Sequence, residues 1–135
     1  MKQAKKIFTR MCLNNWGGIN HKILEFHEYV NLFSGKSGSG KSTVMDAIQV
    51  VLYGSFSPSF LNKAADDAKN RRSVLSYLRG EQKDGTANRE GQDFCSQIVL
   101  ELQDTGTKQY VCMGIAFEVR KNDSEIRKFV YFSHL

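Results

Sequence analysis

Long apolar runs are missing from this chain. The longest span a few residues, far short of a bilayer. No apolar segment follows the basic start at Lys2, Lys5 and Lys6, so a signal-peptide pattern is absent. The expected compartment is the cytoplasm, with no membrane partner. Cysteine is scarce. Cys12, Cys95 and Cys112 are odd in number, scattered, and never at metal-ligand spacing. That argues against a disulfide framework or a zinc site and leaves buried free thiols as the expectation. His21, His27 and His134 are isolated too, with no neighbour at metal or catalytic spacing. Internal repeats and low-complexity tracts are also lacking.

What is there suits one globular domain. The 135 residues can enclose one core, and 41% hydrophobic with 24% charged residues is an ordinary globular balance. The net charge is +5, with basic residues gathered in 2–10, 69–72 and 120–128. Such a balance permits contact with nucleic-acid phosphates, although clusters of this size are commonly solvated surface.

Residues 7–13 have the apolar, β-prone character of a first strand, broken by Asn14, Asn15, Gly17 and Gly18. Residues 19–26 predict a second strand and 29–33 a third, which runs into a glycine-rich segment. Val44, Ala47, Ile48, Val51 and Leu52 then recur at helical spacing, predicting a helix over 42–53 that ends at Gly54, with Pro58 beyond. Short helices are predicted over 63–70 and 72–78, and an exposed loop over 80–92. Alternation over 94–102, 109–120 and 127–132 predicts a β-meander. Leu135 follows an apolar strand with no cap or polar tail, which predicts a fragment of a longer chain.

The glycine-rich segment is Gly35-Lys36-Ser37-Gly38-Ser39-Gly40-Lys41-Ser42, which fits G-x-x-x-x-G-K-[ST]. Glycines let the backbone fold around an anion with successive amides pointing inward. The following helix directs its N-terminal dipole and free N–H groups at the same place. Lys41, the catalytic candidate, supplies a positive charge for β- and γ-phosphates. Ser42 offers a hydroxyl to Mg²⁺, which prefers oxygen ligands. With Thr43 these residues predict binding of a nucleoside triphosphate, ATP with Mg²⁺. A chance match at four fixed positions arises roughly once in a few hundred domains of this size. The strand before the loop and the helix after it lower that further.

A second acidic motif is not found. The nearest lookalike, Ile98-Val99-Leu100-Glu101-Leu102-Gln103-Asp104, alternates as a half-exposed antiparallel strand does, not as a buried central one. Asp46, one turn after Ser42, either orients the loop or is a plain helix carboxylate. Trp16 is better read as a packed edge aromatic than as a base-stacking platform, and Phe26, Tyr29 and Phe33 as strand core. The chain is therefore expected to bind nucleotide but not to hydrolyse it alone.

The loop is similar to those of small-molecule kinases, but three strands before it and a meander after its helix do not suit their alternating parallel sheet. The chain instead resembles, over nearly its whole length, the N-terminal head segment of SMC/Rad50/MukB-like ATPases. The resemblance is carried by Gly40-Lys41-Ser42-Thr43-Val44-Met45-Asp46-Ala47-Ile48 and by Leu78-Arg79-Gly80, with the loop and strand pair that follow. Residues 62–68 and 71–80 look closest to the MukB-like ATPases of Wadjet plasmid-defence systems, the JetC group. Lys36-Ser37 departs from the pair common in SMC loops, and no glutamine is identified for magnesium; Gln97 and Gln103 are poor candidates.

The resemblance implies an α/β P-loop NTPase fold of the ABC/SMC-head type, a mixed sheet with an antiparallel β subdomain. Residues 1–135 would be the N-terminal half of a head, and a long coiled coil would lead to the returning half. Two heads would sandwich ATP as a homodimer, and hydrolysis would be coupled to DNA handling in plasmid defence or chromosome maintenance. Kleisin-like and accessory subunits would assist. Arg79 resembles an arginine that reaches toward nucleotide; a surface arginine beside a turn glycine fits it equally. A nucleotide-sensing module that only binds is the alternative, and a small-molecule kinase a weaker one.

Overall fold

A computed structural model describes residues 3–27, 41–54, 74–80, 86–122 and 125–134. The described elements are β1 (Lys6–Trp16), β2 (Ile19–Glu25), α1 (Lys41–Tyr53), α2 (Val74–Arg79), β3 (Phe94–Asp104), β4 (Tyr110–Val119) and β5 (Ile126–His134). The strands form one sheet in the order β2-β1-β3-β4-β5, and each neighbouring pair is antiparallel. Pairing of β1 with β3 joins the two ends of the chain, as expected of an antiparallel β subdomain. The strand predicted over 29–33 and the helix predicted over 63–70 lie outside the described residues, as does Pro58.

β1 is longer than its sequence implies. The predicted break at Asn14 and Asn15 is instead an irregularity inside the strand. Met11 and Leu13 alternate inward, which would turn Trp16 outward. Asn15 takes a left-handed φ of 50°, a conformation asparagine tolerates, and Trp16 comes back inside, fully buried. Asn15 is tied to β3 by its Nδ2, which donates to the Cys95 carbonyl at 3.0 Å, and by its own carbonyl, which accepts from Ser96 Oγ at 2.5 Å. The pairing of β1 with β2 keeps one register through Asn15, and the register shift in β1 falls between Phe8 and Arg10, against β3.

One sheet face carries the core. Met11, Leu13 and Trp16 of β1, Ile98 and Leu100 of β3, and Ile115, Phe117 and Val119 of β4 pack under Val44, Ala47, Val50 and Val51 of α1 and Tyr77 and Leu78 of α2. Burying each of the Val, Leu, Ile, Met and Phe side chains among them contributes about 1.5–3 kcal/mol, and Ala47 less. The inward stripe of α1 differs from the predicted one. Val50 is buried, Ile48 is half-buried and Leu52 is exposed. The reason is α2: its Tyr77 reaches Asp46 and covers that side of α1, leaving the Leu52 side open. Gly54, at φ 63°, ends α1, its amide bonding the Val50 carbonyl at 2.9 Å.

β3 is antiparallel, as read, but it is the central strand of the five, with Ile98 and Leu100 fully buried on one face. The cysteines also differ from expectation. Cys12 and Cys112 are half-buried and Cys95 is exposed, because all three fall on the outward alternation of β1, β3 and β4. Partial burial raises the thiol pKa of Cys95 and Cys112.

Candidate phosphate-binding site

The predicted loop residues Gly35, Lys36, Ser37, Gly38, Ser39 and Gly40 lie outside the described residues. α1 begins immediately after them, at Lys41, so Lys41, Ser42 and Thr43 form its first turn. The anchoring of that turn is well defined. Trp16 Nε1 donates to the Thr43 carbonyl at 2.9 Å, fixing the start of α1 to the end of β1. The Trp16 ring packs against Tyr77 at 4.9 Å between centroids and against Phe117 at 6.3 Å. Trp16 is therefore a core residue joining sheet, α1 and α2, and its indole N–H is satisfied by backbone. Asp46 is buried one turn further on, and Tyr77 Oη donates to its Oδ2 at 3.3 Å.

Arg79 closes α2 and is half-buried. Its Nε is buried and has no hydrogen-bond partner among the described residues. The turn after it is closely built. Gly80 sits at φ 73°, and a Cβ there would lie 2.8 Å from the Gly17 carbonyl oxygen. The backbone of the Leu78-Arg79-Gly80 turn thus rests on the turn between β1 and β2, and only glycine permits the approach.

Arg89 was missed by sequence reading, which placed it in an exposed loop. It is 4% exposed. Its Nε donates to the Leu78 carbonyl at 2.9 Å, Nη1 to Asn20 Oδ1 at 3.2 Å, and Nη2 to the Gly17 carbonyl. Its backbone N–H donates to the Arg79 carbonyl at 3.0 Å, and its guanidinium lies 5.5 Å from the Phe94 ring centroid. Burial lowers its pKa. Nothing in a run of Gly, Lys, Asp, Asn and Glu marks one arginine as buried, because its partners lie at 17, 20, 78 and 79, outside that run.

The lookalike acid Asp104 is engaged elsewhere. Its Oδ1 accepts from the amides of Gly106 at 2.8 Å and Thr107 at 3.0 Å, shaping the turn between β3 and β4, and those bonds hold its carboxyl below the usual range. Gln97 accepts from Asn14 and Gln103 donates to the Lys108 carbonyl, so both serve the sheet. His21 Nδ1 faces Asn14 Oδ1 at 2.6 Å. Several basic residues from the clusters have partners: Lys6 with Asp104, Arg10 with Glu101, Arg120 with Glu118, and Lys128 with the Gly54 carbonyl. Residues 69–72 lie outside the described residues. Among the described residues no group of three or more His, Cys, Asp or Glu could hold a metal ion, and no helix is long and apolar enough to cross a membrane.

Comparison with known proteins agrees with this geometry. Residues 8–68 match the family model described as the P-loop containing region of AAA domain. The SbcC component of the nuclease SbcCD of Staphylococcus haemolyticus (strain JCSC1435) is 37% identical over 74 residues, which is 52% of this chain but only 6% of that relative. A solved chain, from work on ATP-driven dimerization and DNA-stimulated activation of SMC ATPases, superposes with a TM-score of 0.59 over 96% of this chain and 72% of its own length, at 15% identity. A phosphate-loop motif leading into α1, beside an antiparallel sheet that superposes on that chain, gives this protein the P-loop NTPase fold of SMC-type heads.

Proposed function

We propose that this chain is the ATP-binding N-terminal part of an SMC- or SbcC-like ATPase head, whose ATP cycle is coupled to the handling of DNA. The observation that carries the reading is the eight-residue motif ending in the first turn of α1, a turn fixed to the sheet by Trp16. In this reading the amides of Gly35, Lys36, Ser37, Gly38, Ser39 and Gly40 hold the phosphates, as glycine-rich loops at helix N-termini do. Lys41 neutralises the β- and γ-phosphates, Ser42 supplies an oxygen to Mg²⁺, and Thr43 and Arg79 flank the nucleotide. The ion would screen phosphate charge while it is bound.

Hydrolysis is assigned to the assembled head, not to this segment. Asp104 is committed to its turn, and the remaining acids would come from a returning half across a coiled coil. A second head would complete a homodimer, with kleisin-like and accessory subunits, in the cytoplasm. The likeness of residues 62–68 and 71–80 to the JetC group favours plasmid defence as the finer assignment. The alternative, a module that senses nucleotide without turnover, is separated by adding the missing half. Turnover that then appears supports the ATPase; none, with binding intact, supports the sensor.

The first test is titration calorimetry of ATP·Mg²⁺ on the chain and on Lys41→Ala. Wild type should bind, and the variant should bind at least about tenfold more weakly, the worth of one charge-assisted contact. A folded wild-type chain that ignores ATP, or a variant that binds equally well, would sink the proposal.

A further inference from the structure

Two turns far apart in the chain meet beside α1. The Gly17 turn links β1 to β2, and the Leu78-Arg79-Gly80 turn closes α2. The side chains next to them reach the first turns of α1: Trp16 bonds the Thr43 carbonyl, and Tyr77 bonds Asp46. A Cβ on Gly17 would lie 3.0 Å from Thr43 Cγ2 and 3.5 Å from the Tyr77 ring, so the three elements touch at this point.

Arg89 closes the junction. Its guanidinium donates to the Gly17 and Leu78 carbonyls and to Asn20, and its amide donates to the Arg79 carbonyl. Its described hydrogen bonds all go to neutral oxygens, and no carboxylate forms an ion pair with it among the described residues. A dehydrated cation held by neutral oxygens alone is a costly way to join two turns, since its own charge gains no opposite charge. What the fork supplies is geometry: several donors in one plane, each aimed at a different backbone segment. The residue whose backbone it fixes is Arg79, which keeps a buried Nε without a partner among the described residues.

We propose that Arg89 is a positioning residue of the nucleotide site: it locks the Leu78-Arg79-Gly80 turn onto the Gly17 turn and so presents Arg79 to the nucleotide held at the first turn of α1. This rests on the nucleotide-binding reading above. Arg89 itself touches no nucleotide; it acts through Arg79.

The test is a double-mutant cycle on ATP·Mg²⁺ affinity, measured well below the melting temperature of each variant, for wild type, Arg79→Ala, Arg89→Met and the double variant. Lys41→Ala is run beside them. Arg79→Ala should weaken binding about tenfold, Arg89→Met by a similar factor, and the double variant no more than either alone, because both remove one contact. Arg89→Lys keeps the charge without the fork, so it should weaken binding in the same sense; it replaces Arg89→Met in the cycle if that variant does not fold. Affinity unchanged by Arg89→Met despite a lower melting temperature would overturn the inference, leaving Arg89 a purely structural residue. Losses that multiply in the double variant would overturn it too. In either case a Lys41→Ala loss leaves the nucleotide reading standing. Wild-type binding that is absent or indifferent to Lys41 overturns both.

Discussion

Arg10 and Arg89 show two ways for one fold to hold a guanidinium. Arg10 is exposed on the outward side of β1 and makes a two-point bond to Glu101 of β3, at 3.0 and 2.9 Å. Its cation meets an anion, in water, across a strand pair that the ladder already fixes. Exposed pairs of this kind contribute little. Arg89 is buried, meets carbonyls and an amide, and joins segments that no ladder connects. The same side chain is thus an ornament of the sheet in one place and the closure of the α2 junction in the other. The difference lies in what else holds the segments and in what is left dry when the arginine goes.

The two arginines should differ most when Arg89 is replaced. Arg89→Met keeps much of the aliphatic stem and the packing on Phe94 but leaves the Gly17 and Leu78 carbonyls without their donor. Unsatisfied buried groups cost about 1–3 kcal/mol each, so a loss of about 3 kcal/mol in unfolding free energy is expected by urea denaturation. Set against a domain stability of about 5–15 kcal/mol, that is a large fraction. A loss no larger than that of Arg10→Ala would mean that the two arginines are equivalent after all.

Gly80 tests the same junction from its backbone. Gly80→Ala meets a left-handed φ of 73° and a carbonyl oxygen 2.8 Å from the new Cβ. Gly91, at φ 69°, has nothing within 4 Å of that position. The φ term alone costs about 1–2 kcal/mol and is common to both. Gly80→Ala should therefore destabilise by about 2–3 kcal/mol and Gly91→Ala by about 1 kcal/mol. Equal losses would mean that the contact between the turns relaxes freely and that Arg89 holds nothing tight.

Sequence periodicity was enough to place the five described strands and α1, because one-sided burial writes alternation into β1, β3 and β4 and spacing into α1; the strand predicted over 29–33 lies outside the described residues. The phosphate-loop motif stood out because anion binding needs particular residues at fixed spacing; residues 8–68 match a P-loop family model, while the loop residues 35–40 themselves lie outside the described residues. Two kinds of feature escaped. Phase changes inside a strand, such as Asn15 returning Trp16 to the core, look like a strand end when read locally. Long-range satisfaction of polar groups leaves no periodic trace: the partners of Arg89 lie at 17, 20, 78 and 79. Trp16→Phe probes one such link. A phenyl ring stays against Tyr77, while the donor to the Thr43 carbonyl and part of the fully buried indole are lost. A loss of about 2 kcal/mol is expected, from the missing hydrogen bond and the space left behind. An unchanged stability would show that the core closes over the gap and that the indole N–H does not hold the start of α1.

The smallest effect is the one at Arg10, and it separates the two arginines by shape as well as size. Glu101 is held below the usual carboxylate range chiefly by the hydrogen bond from Arg10, with help from Thr9 and from the charge of Arg10, and against partial burial. Asp104 is held low by the amides of Thr107 and Gly106. Both carboxylates are more acidic folded than unfolded, so the unfolded chain binds more protons once pH drops to the ordinary carboxylate range, about 4. Their contribution is present above that range and is lost as pH falls through the lower folded values. Urea midpoints measured from pH 7 to 2 should hold steady and then decline in acid. Arg10→Ala should cost little at pH 7 and flatten the decline, because Glu101 then titrates nearer its unfolded value. Arg89 does not titrate in this window, so Arg89→Met should lower the whole curve without changing its shape. An Arg10→Ala curve that runs parallel to wild type would show that Arg10 does not set the acidity of Glu101. The outward pair would then have no electrostatic role in stability to compare with the buried junction.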